Sequence, residues 1–211
     1  EGRCYRWGHT PTPVCISARY SLLTGLPPRM HGKFHNETVL LPPGLPTLPG
    51  ILADHGYATC AVGKMHFHPV RAHHGFTHMR LMEELPEHLE DDHYLQFLER
   101  QAGGAPLHPH GVRHAGYHFP QRSLQDEAHH GSSWVGDESL RFIEANRARP
   151  WFLWASWISP HPPCNVPASL ADLYRGAEFP PLVGTDQAET PLVRRVRELY
   201  YAAVTQVDSN V

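Results

Sequence analysis

Apolar positions along the chain follow two periods, and the switch between them lays out the elements. Leu192, Val193, Val196, Leu199, Tyr200, Ala203, Val204 and Val207 recur three and four residues apart after a Thr190-Pro191 start, which predicts a long amphipathic helix. The same spacing predicts helices over 85–101 and over 134–146, the second opening at Ser132 or Ser133. A short helix is expected over 16–24, stopped by Gly25, and another over 47–55, with Thr47 as its cap and Gly56 just past its end. The run Trp151 to Ile158 is continuously apolar and reads as a strand buried on both faces. Tyr57 to Val62 reads as a second strand, and residues 3–8 as an extended stretch. Strands alternating with helices predict an α/β fold, with a mostly parallel central sheet sandwiched by helices.

The Pro-, Gly- and His-rich stretch 103–120 reads as a long loop or lid rather than a domain boundary, because no second independent core follows it. With 211 residues, 41% of them hydrophobic and 18% charged, the chain suits one sizeable globular domain or most of one. A net charge of −3 carries no footprint of phosphate-backbone binding, so nucleic acid is not an expected partner. No stretch approaches the roughly 20 apolar residues of a membrane span. The chain begins at Glu1 and runs at once into Cys4-Tyr5-Arg6-Trp7, as though an upstream part were left out, so its localisation is not legible. The histidines, 18 in all, are scattered and read mostly as surface or loop residues. Cys4, Cys15, Cys60 and Cys164 lack the spacing of a zinc site and are too few for a disulfide framework. Three of them read as small buried apolar residues.

Ligands of open α/β sheets bind beyond the carboxyl ends of the strands, so the residues after each expected strand carry the candidate chemistry. After the first extended stretch, Pro13-Val14-Cys15 places Cys15 at a helix entrance, where peptide N–H groups favour an anion. Arg19 follows one turn later on the same face. Taken alone, the pair reads more simply as an inert cysteine and a surface arginine. After the second strand, Gly63-Lys64-Met65-His66 puts Lys64 and His66 on one side if the chain stays extended. After the third, prolines stiffen the loop around His161. Together these ends supply a nucleophile candidate, two cations and two histidines, with no acidic residue among them. Such a set suits an oxyanion substrate.

The stretch Cys15-Ile16-Ser17-Ala18-Arg19-Tyr20-Ser21-Leu22-Leu23-Thr24-Gly25 resembles the signature of the type I sulfatases of the alkaline phosphatase superfamily. Gly63-Lys64-Met65-His66 and Trp151-Phe152-Leu153 to Pro160-His161-Pro162-Pro163 follow in that family's order, as does Tyr200-Tyr201-Ala202-Ala203-Val204 to Asp208. The resemblance implies an alkaline-phosphatase-like fold, with residues 1–211 as a partial catalytic domain lacking the first strand and the C-terminal part. It implies that a formylglycine-generating enzyme oxidises Cys15, and that the resulting formylglycine hydrolyses the sulfate ester of a small molecule or carbohydrate. Arg19 would orient the formylglycine, His66 would act as acid or base, and Lys64 and His161 would bind sulfate or leaving-group oxygens. It also implies a calcium ion, to which residue 15 alone of this chain contributes, the other ligands lying outside 1–211.

Phosphonate monoester or phosphodiester hydrolysis shares the fold and motif and stays open at this point, as does a non-catalytic fragment. A cysteine phosphatase needs a His before the Cys and an Arg six residues after it, and Val14 and Ser21 stand there instead.

Overall fold

The computed structural model describes residues 3–36, 38, 40–102, 104, 106–113, 117–186 and 188–211. In chain order its elements are α1 (Cys15–Thr24), α2 (Pro28–His31), α3 (Leu48–Asp54), β1 (Ala58–Gly63), β2 (His78–Leu81), α4 (His93–Ala102), β3 (Gln121–Arg122), α5 (Gly131–Ala145), β4 (Trp151–Ser156), β5 (Asn165–Val166) and α6 (Pro191–Asp208).

The helix boundaries follow from local chemistry. Gly25 ends α1 in the left-handed region, with φ 70° and its N–H on the Ser21 carbonyl at 2.9 Å. The Thr47 hydroxyl accepts from Gly50 N at 3.2 Å and donates to the His74 carbonyl at 2.6 Å, so one cap both starts α3 and ties it to the chain after β1. Thr190 caps α6 in the same way, accepting from Val193 N, with Pro191 in the first turn.

Three strands form one sheet in the order β2-β1-β4. The bonds from Thr77 N to Thr59 O and from Met82 N to Gly63 O advance together along both strands, as do those from Ala58 N to Pro150 O and from Lys64 N to Ser156 O. Both pairings are therefore parallel. A second, two-stranded parallel sheet pairs β3 with β5, Gln121 opposite Asn165 and Arg122 opposite Val166.

The chain divides into two compact units, Glu1–Ala61 with Met65–Met79 and Asn146–Trp154, and Val62–Lys64 with Arg80–Ala145 and Ala155–Val211. In the first, Tyr20, Leu23 and Phe67 are buried around α1, and Phe76 stacks on Phe152 with ring centroids 6.2 Å apart. In the second, Tyr94 and Trp134 join α4 to α5 at 5.6 Å, and Leu199, Ala202 and Ala203 of α6 bury against Cys164, Val166 and Ala171.

Four expectations are corrected. Residues 3–8 form no strand: Gly8 N reaches back to the Tyr5 carbonyl in an exposed turn, and Cys4 is exposed rather than buried. The helix expected over 85–101 is α4 alone, because the Asp92 carboxylate accepts from Leu95 N at 2.8 Å and from Glu83 N at 2.6 Å, capping the helix there. Only a short 3-10 turn, Leu89–Asp91, precedes it. The strand after Trp151 ends at Ser156 and is half-buried, since among the described residues β4 has a paired neighbour on one side only, whereas all six residues of β1 are buried. The stretch 103–120 has no helix or strand in its described residues, and 103, 105 and 114–116 lie outside them. The short elements α2, β2, β3 and β5 have no counterpart in the periodicity.

Gly63 closes β1 with φ 91°, and a Cβ there would stand 2.0 Å from the Ser156 carbonyl oxygen, which accepts the Lys64 N–H. Gly25 shares the positive φ but has nothing within 4 Å of its Cβ position. Gly25→Ala should cost roughly 1–2 kcal/mol, the left-handed penalty alone. Gly63→Ala should cost distinctly more, about 3 kcal/mol or above, because backbone must move as well. Urea denaturation of both variants checks this, and equal costs would contradict the close approach.

Candidate active site

Cys15 opens α1 as a half-buried free thiol, and Arg19 stands half-buried one turn further on. No side chain of Val14 caps this helix; Asn36 does so from the following loop, its Oδ1 accepting from Ile16 N at 3.0 Å. That loop is held to α1 by a buried polar chain. The Ser17 hydroxyl donates to the Lys33 carbonyl at 2.5 Å, and Lys33 N donates to His31 Nδ1 at 3.2 Å. With Nδ1 accepting, the imidazole proton sits on Nε2 and is donated to Ser21 Oγ at 2.9 Å. Burial pushes the His31 pKa down, so the ring serves as a neutral link. The first turn of α1 is thereby fixed by neutral hydrogen bonds.

His66 belongs to the same unit as Cys15 and Arg19. Its φ of 55° shows that the chain is not extended there, so the alternation that would set it on the side of Lys64 does not apply. Its neighbours Met65 and Phe67 are buried. Phe67 packs on Tyr20 at 6.0 Å, and His68 N donates to the Tyr20 hydroxyl, which docks this segment on α1 one residue beyond Arg19.

In the second unit, Lys64 and His161 are brought together on a residue that the sequence pattern does not single out. The Glu84 carboxylate receives the Lys64 ammonium through Oε2, and Arg113 Nη1 at 2.5 Å and His161 Nδ1 at 3.2 Å through Oε1. Lys64 follows β1, Glu84 follows β2 and His161 follows β4, so parallel pairing delivers all three beyond carboxyl ends of strands. His161 Nδ1 also donates to the Pro162 carbonyl at 2.8 Å, which turns Nε2 toward the Tyr117 hydroxyl at 3.5 Å. The Arg113 guanidinium lies over the Tyr117 ring at 5.6 Å.

Burial alone would raise the Glu84 pKa, but the Lys64 hydrogen bond and the charges of Lys64, Arg113 and His161 outweigh it and bring the value down to about 2. Glu84 is therefore a fixed anion across the working pH range. Its folded value lies below the ordinary 4.5, so the cluster supports the fold above that pH and loses the support as pH falls toward 2. His110 lies beside it with Nε2 buried and without a hydrogen-bond partner among the described residues. Burial first, then the charges of His130 and Arg113, push the His110 pKa down to about 3, so it is a neutral ring stacked on Tyr94.

The expected absence of an acidic residue among the strand ends is thus corrected by Glu84. Its position carries no signal because β2 is only four residues long and has no apolar run, so nothing in the periodicity marks Glu84 as lying at a strand end. Arg113 lies in the stretch read as a loop or lid and carries no local signal at all. A hard divalent cation takes about six to eight oxygen ligands. Among the described residues no group of three or more His, Cys, Asp or Glu could hold a metal ion, so these side chains do not make such a site by themselves. No helix among them is long and apolar enough to cross a membrane.

A family model described as Sulfatase matches residues 2–211. The chain is 26% identical to an arylsulfatase of Clostridium perfringens (strain 13 / Type A), all of this chain and 50% of that protein being covered. It is similar in structure to a phosphonate monoester hydrolase of Agrobacterium radiobacter, with a TM-score of 0.71, 18% identity, and 95% of this chain and 49% of that one covered. It is also similar to a protein solved in complex with its substrate, D-glucosamine-2-N,6-O-disulfate, with a TM-score of 0.58, 12% identity and coverage of 95% and 45%. At these identities the two structures establish a shared alkaline-phosphatase-like α/β fold, and the chain spans about half the length of the proteins it matches. With the family model covering nearly every residue, the signature at Cys15 included, the chain belongs to the sulfatase family.

Proposed function

We propose that the protein of which this chain forms part hydrolyses sulfate esters through a formylglycine made from Cys15. The observation that carries this reading is the Cys15-x-Ser17-x-Arg19 pattern on the first turn of α1, in a chain of the sulfatase family. Cys15 is a half-buried thiol at that helix entrance, where peptide N–H groups favour an anion. The arylsulfatase relative supports sulfate esters as the substrate class, and the disulfated glucosamine bound by a structural neighbour supports a sulfated carbohydrate.

Hydration of the residue 15 aldehyde gives two hydroxyls on one carbon. One oxygen attacks sulfur while the bond from sulfur to the ester oxygen breaks, and the alcohol leaves with a proton. The remaining hydroxyl then gives up its proton, its oxygen becomes the aldehyde oxygen, and the bond from carbon to the sulfate oxygen breaks. Sulfate leaves and the aldehyde returns, so water never has to attack the crowded sulfur. Arg19 orients residue 15, His66 moves the hydroxyl proton, and Lys64 and His161 bind the sulfate or leaving-group oxygens. In the family a divalent ion adds positive charge at the sulfate. Residue 15 would be its one ligand in this chain.

Coproduction of the full-length protein with a formylglycine-generating enzyme should give a residue 15 peptide that has lost its sulfur, read by mass spectrometry, together with aryl sulfatase activity. Cys15→Ala should fold normally and lose turnover to background, at least about a thousandfold. Unmodified thiol only, beside a sulfatase that is converted in the same cells, would sink the formylglycine reading.

With aldehyde content matched, Lys64→Ala and His161→Ala should each lower kcat/KM for an aryl sulfate by roughly a hundred- to a thousandfold, as loss of an oxyanion donor does. Running an aryl phosphonate monoester in parallel separates the two hydrolase readings that share this fold. A kcat/KM greater for the phosphonate than for the sulfate would transfer the assignment to phosphonate hydrolysis.

A further inference from the structure

Two cations in a buried cluster repel each other unless an anion lies between them, and here the anion is part of the chain. Glu84 is 11% exposed and touches Lys64, itself 3% exposed, as well as Arg113 at 11%. The Nε and Nη2 atoms of Arg113 are buried without a hydrogen-bond partner among the described residues, so its guanidinium commits one nitrogen to Glu84 and keeps two in reserve. Glu84, His110 and Arg113 line one cleft, so this side of the cluster lies at its wall.

Glu84 cancels one of the two fixed positive charges. The other is left in excess. A sulfate monoester carries a single negative charge, whereas a phosphate monoester carries close to two above its second pKa of about 6. Any ester oxygen held by Lys64 would lie within two hydrogen-bond lengths, roughly 6 Å, of the Glu84 carboxylate. At that range a carboxylate repels a dianion about twice as strongly as a monoanion.

Resting on the ester hydrolase reading above, we propose that Glu84 is a specificity-determining residue, an internal anion that sets the charge of the Lys64, Arg113 and His161 cluster so that singly charged esters are accepted and doubly charged ones rejected. Lys64 and His161 contact the substrate; Glu84 acts through them and through its own field. Its ionisation is fixed, since its pKa lies near 2, so the discrimination is not switched off by moderate acid.

The test is the ratio of kcat/KM for an aryl phosphate to that for the matching aryl sulfate, measured at about pH 8 on one preparation of the full-length, aldehyde-bearing enzyme. Because both rates come from the same sample, the active fraction cancels, and a merely structural role for Glu84 would leave the ratio unmoved. Glu84→Gln should raise the ratio by about ten- to a hundredfold, the effect of one unit charge at this range in a medium of intermediate dielectric. Glu84→Asp, which keeps the charge, should stay within about threefold of wild type. Arg113→Gln removes a positive charge and should lower the ratio, and it decides the matter if Glu84→Gln yields no folded enzyme. An unchanged ratio in Glu84→Gln, or in Arg113→Gln, would overturn the proposal while leaving sulfate ester hydrolysis intact. A wild-type enzyme with aldehyde at residue 15 that turns over neither ester would instead refute the hydrolase reading on which it rests.

Discussion

The close approach of two backbones at the end of β1 is the constraint on which the chemistry of the second unit depends. Lys64 N–H can reach the Ser156 carbonyl at 2.9 Å only because Gly63 has no Cβ in the space that this oxygen fills. On the other side the Gly63 carbonyl accepts from Met82 N at 3.2 Å. One residue thus sets the register toward both neighbours just where the strands end. Parallel pairing then completes the arrangement: each strand releases its next residues beyond the same kind of edge, and Lys64, Glu84 and His161 are those residues.

Burying Lys64 beyond that edge has an electrostatic consequence. A lone ammonium taken out of water costs several kcal/mol, and a neighbouring guanidinium increases the cost. Glu84 touches both groups and offsets one of the two charges, and its own desolvation is compensated in turn by three donors. Removal of Glu84 would leave two buried cations together with no anion between them. The first unit solves a different problem with neutral groups. Around α1 a run of neutral hydrogen bonds links the Ser17 hydroxyl, through the Lys33 backbone and the His31 imidazole, to Ser21.

Much of the scaffold is legible in the sequence because its determinants are local. Gly25 and Thr47 act through their own backbone or hydroxyl within one turn, so α1 and α3 can be read to within a residue or two. The apolar spacing of α6 reflects a face that buries Leu199, Ala202 and Ala203. Legibility fails where a distant partner decides. Residues 85–92 have helical spacing, yet Asp92 caps the helix at that point and holds Glu83 by its other oxygen. Strand alternation would set His66 beside Lys64, but a left-handed φ turns the chain while Tyr20, far away in sequence, holds the segment down.

The sequence by itself determined the family and the identity of the chemical groups: Cys15 and Arg19 one turn apart on α1, Lys64 beyond β1 and His161 beyond β4. Those are matters of short-range order, in which spacing along the chain is also spacing in space. Only the tertiary structure decided what Lys64 and His161 meet. Twenty residues separate Lys64 from Glu84, and Arg113 comes from a stretch with no periodicity, so no local pattern could reveal that one buried carboxylate holds three cationic or imidazole groups. Desolvation is the reason: a charge taken from water must find its counter-charge wherever the fold supplies one, and the chain between them carries no record of the meeting.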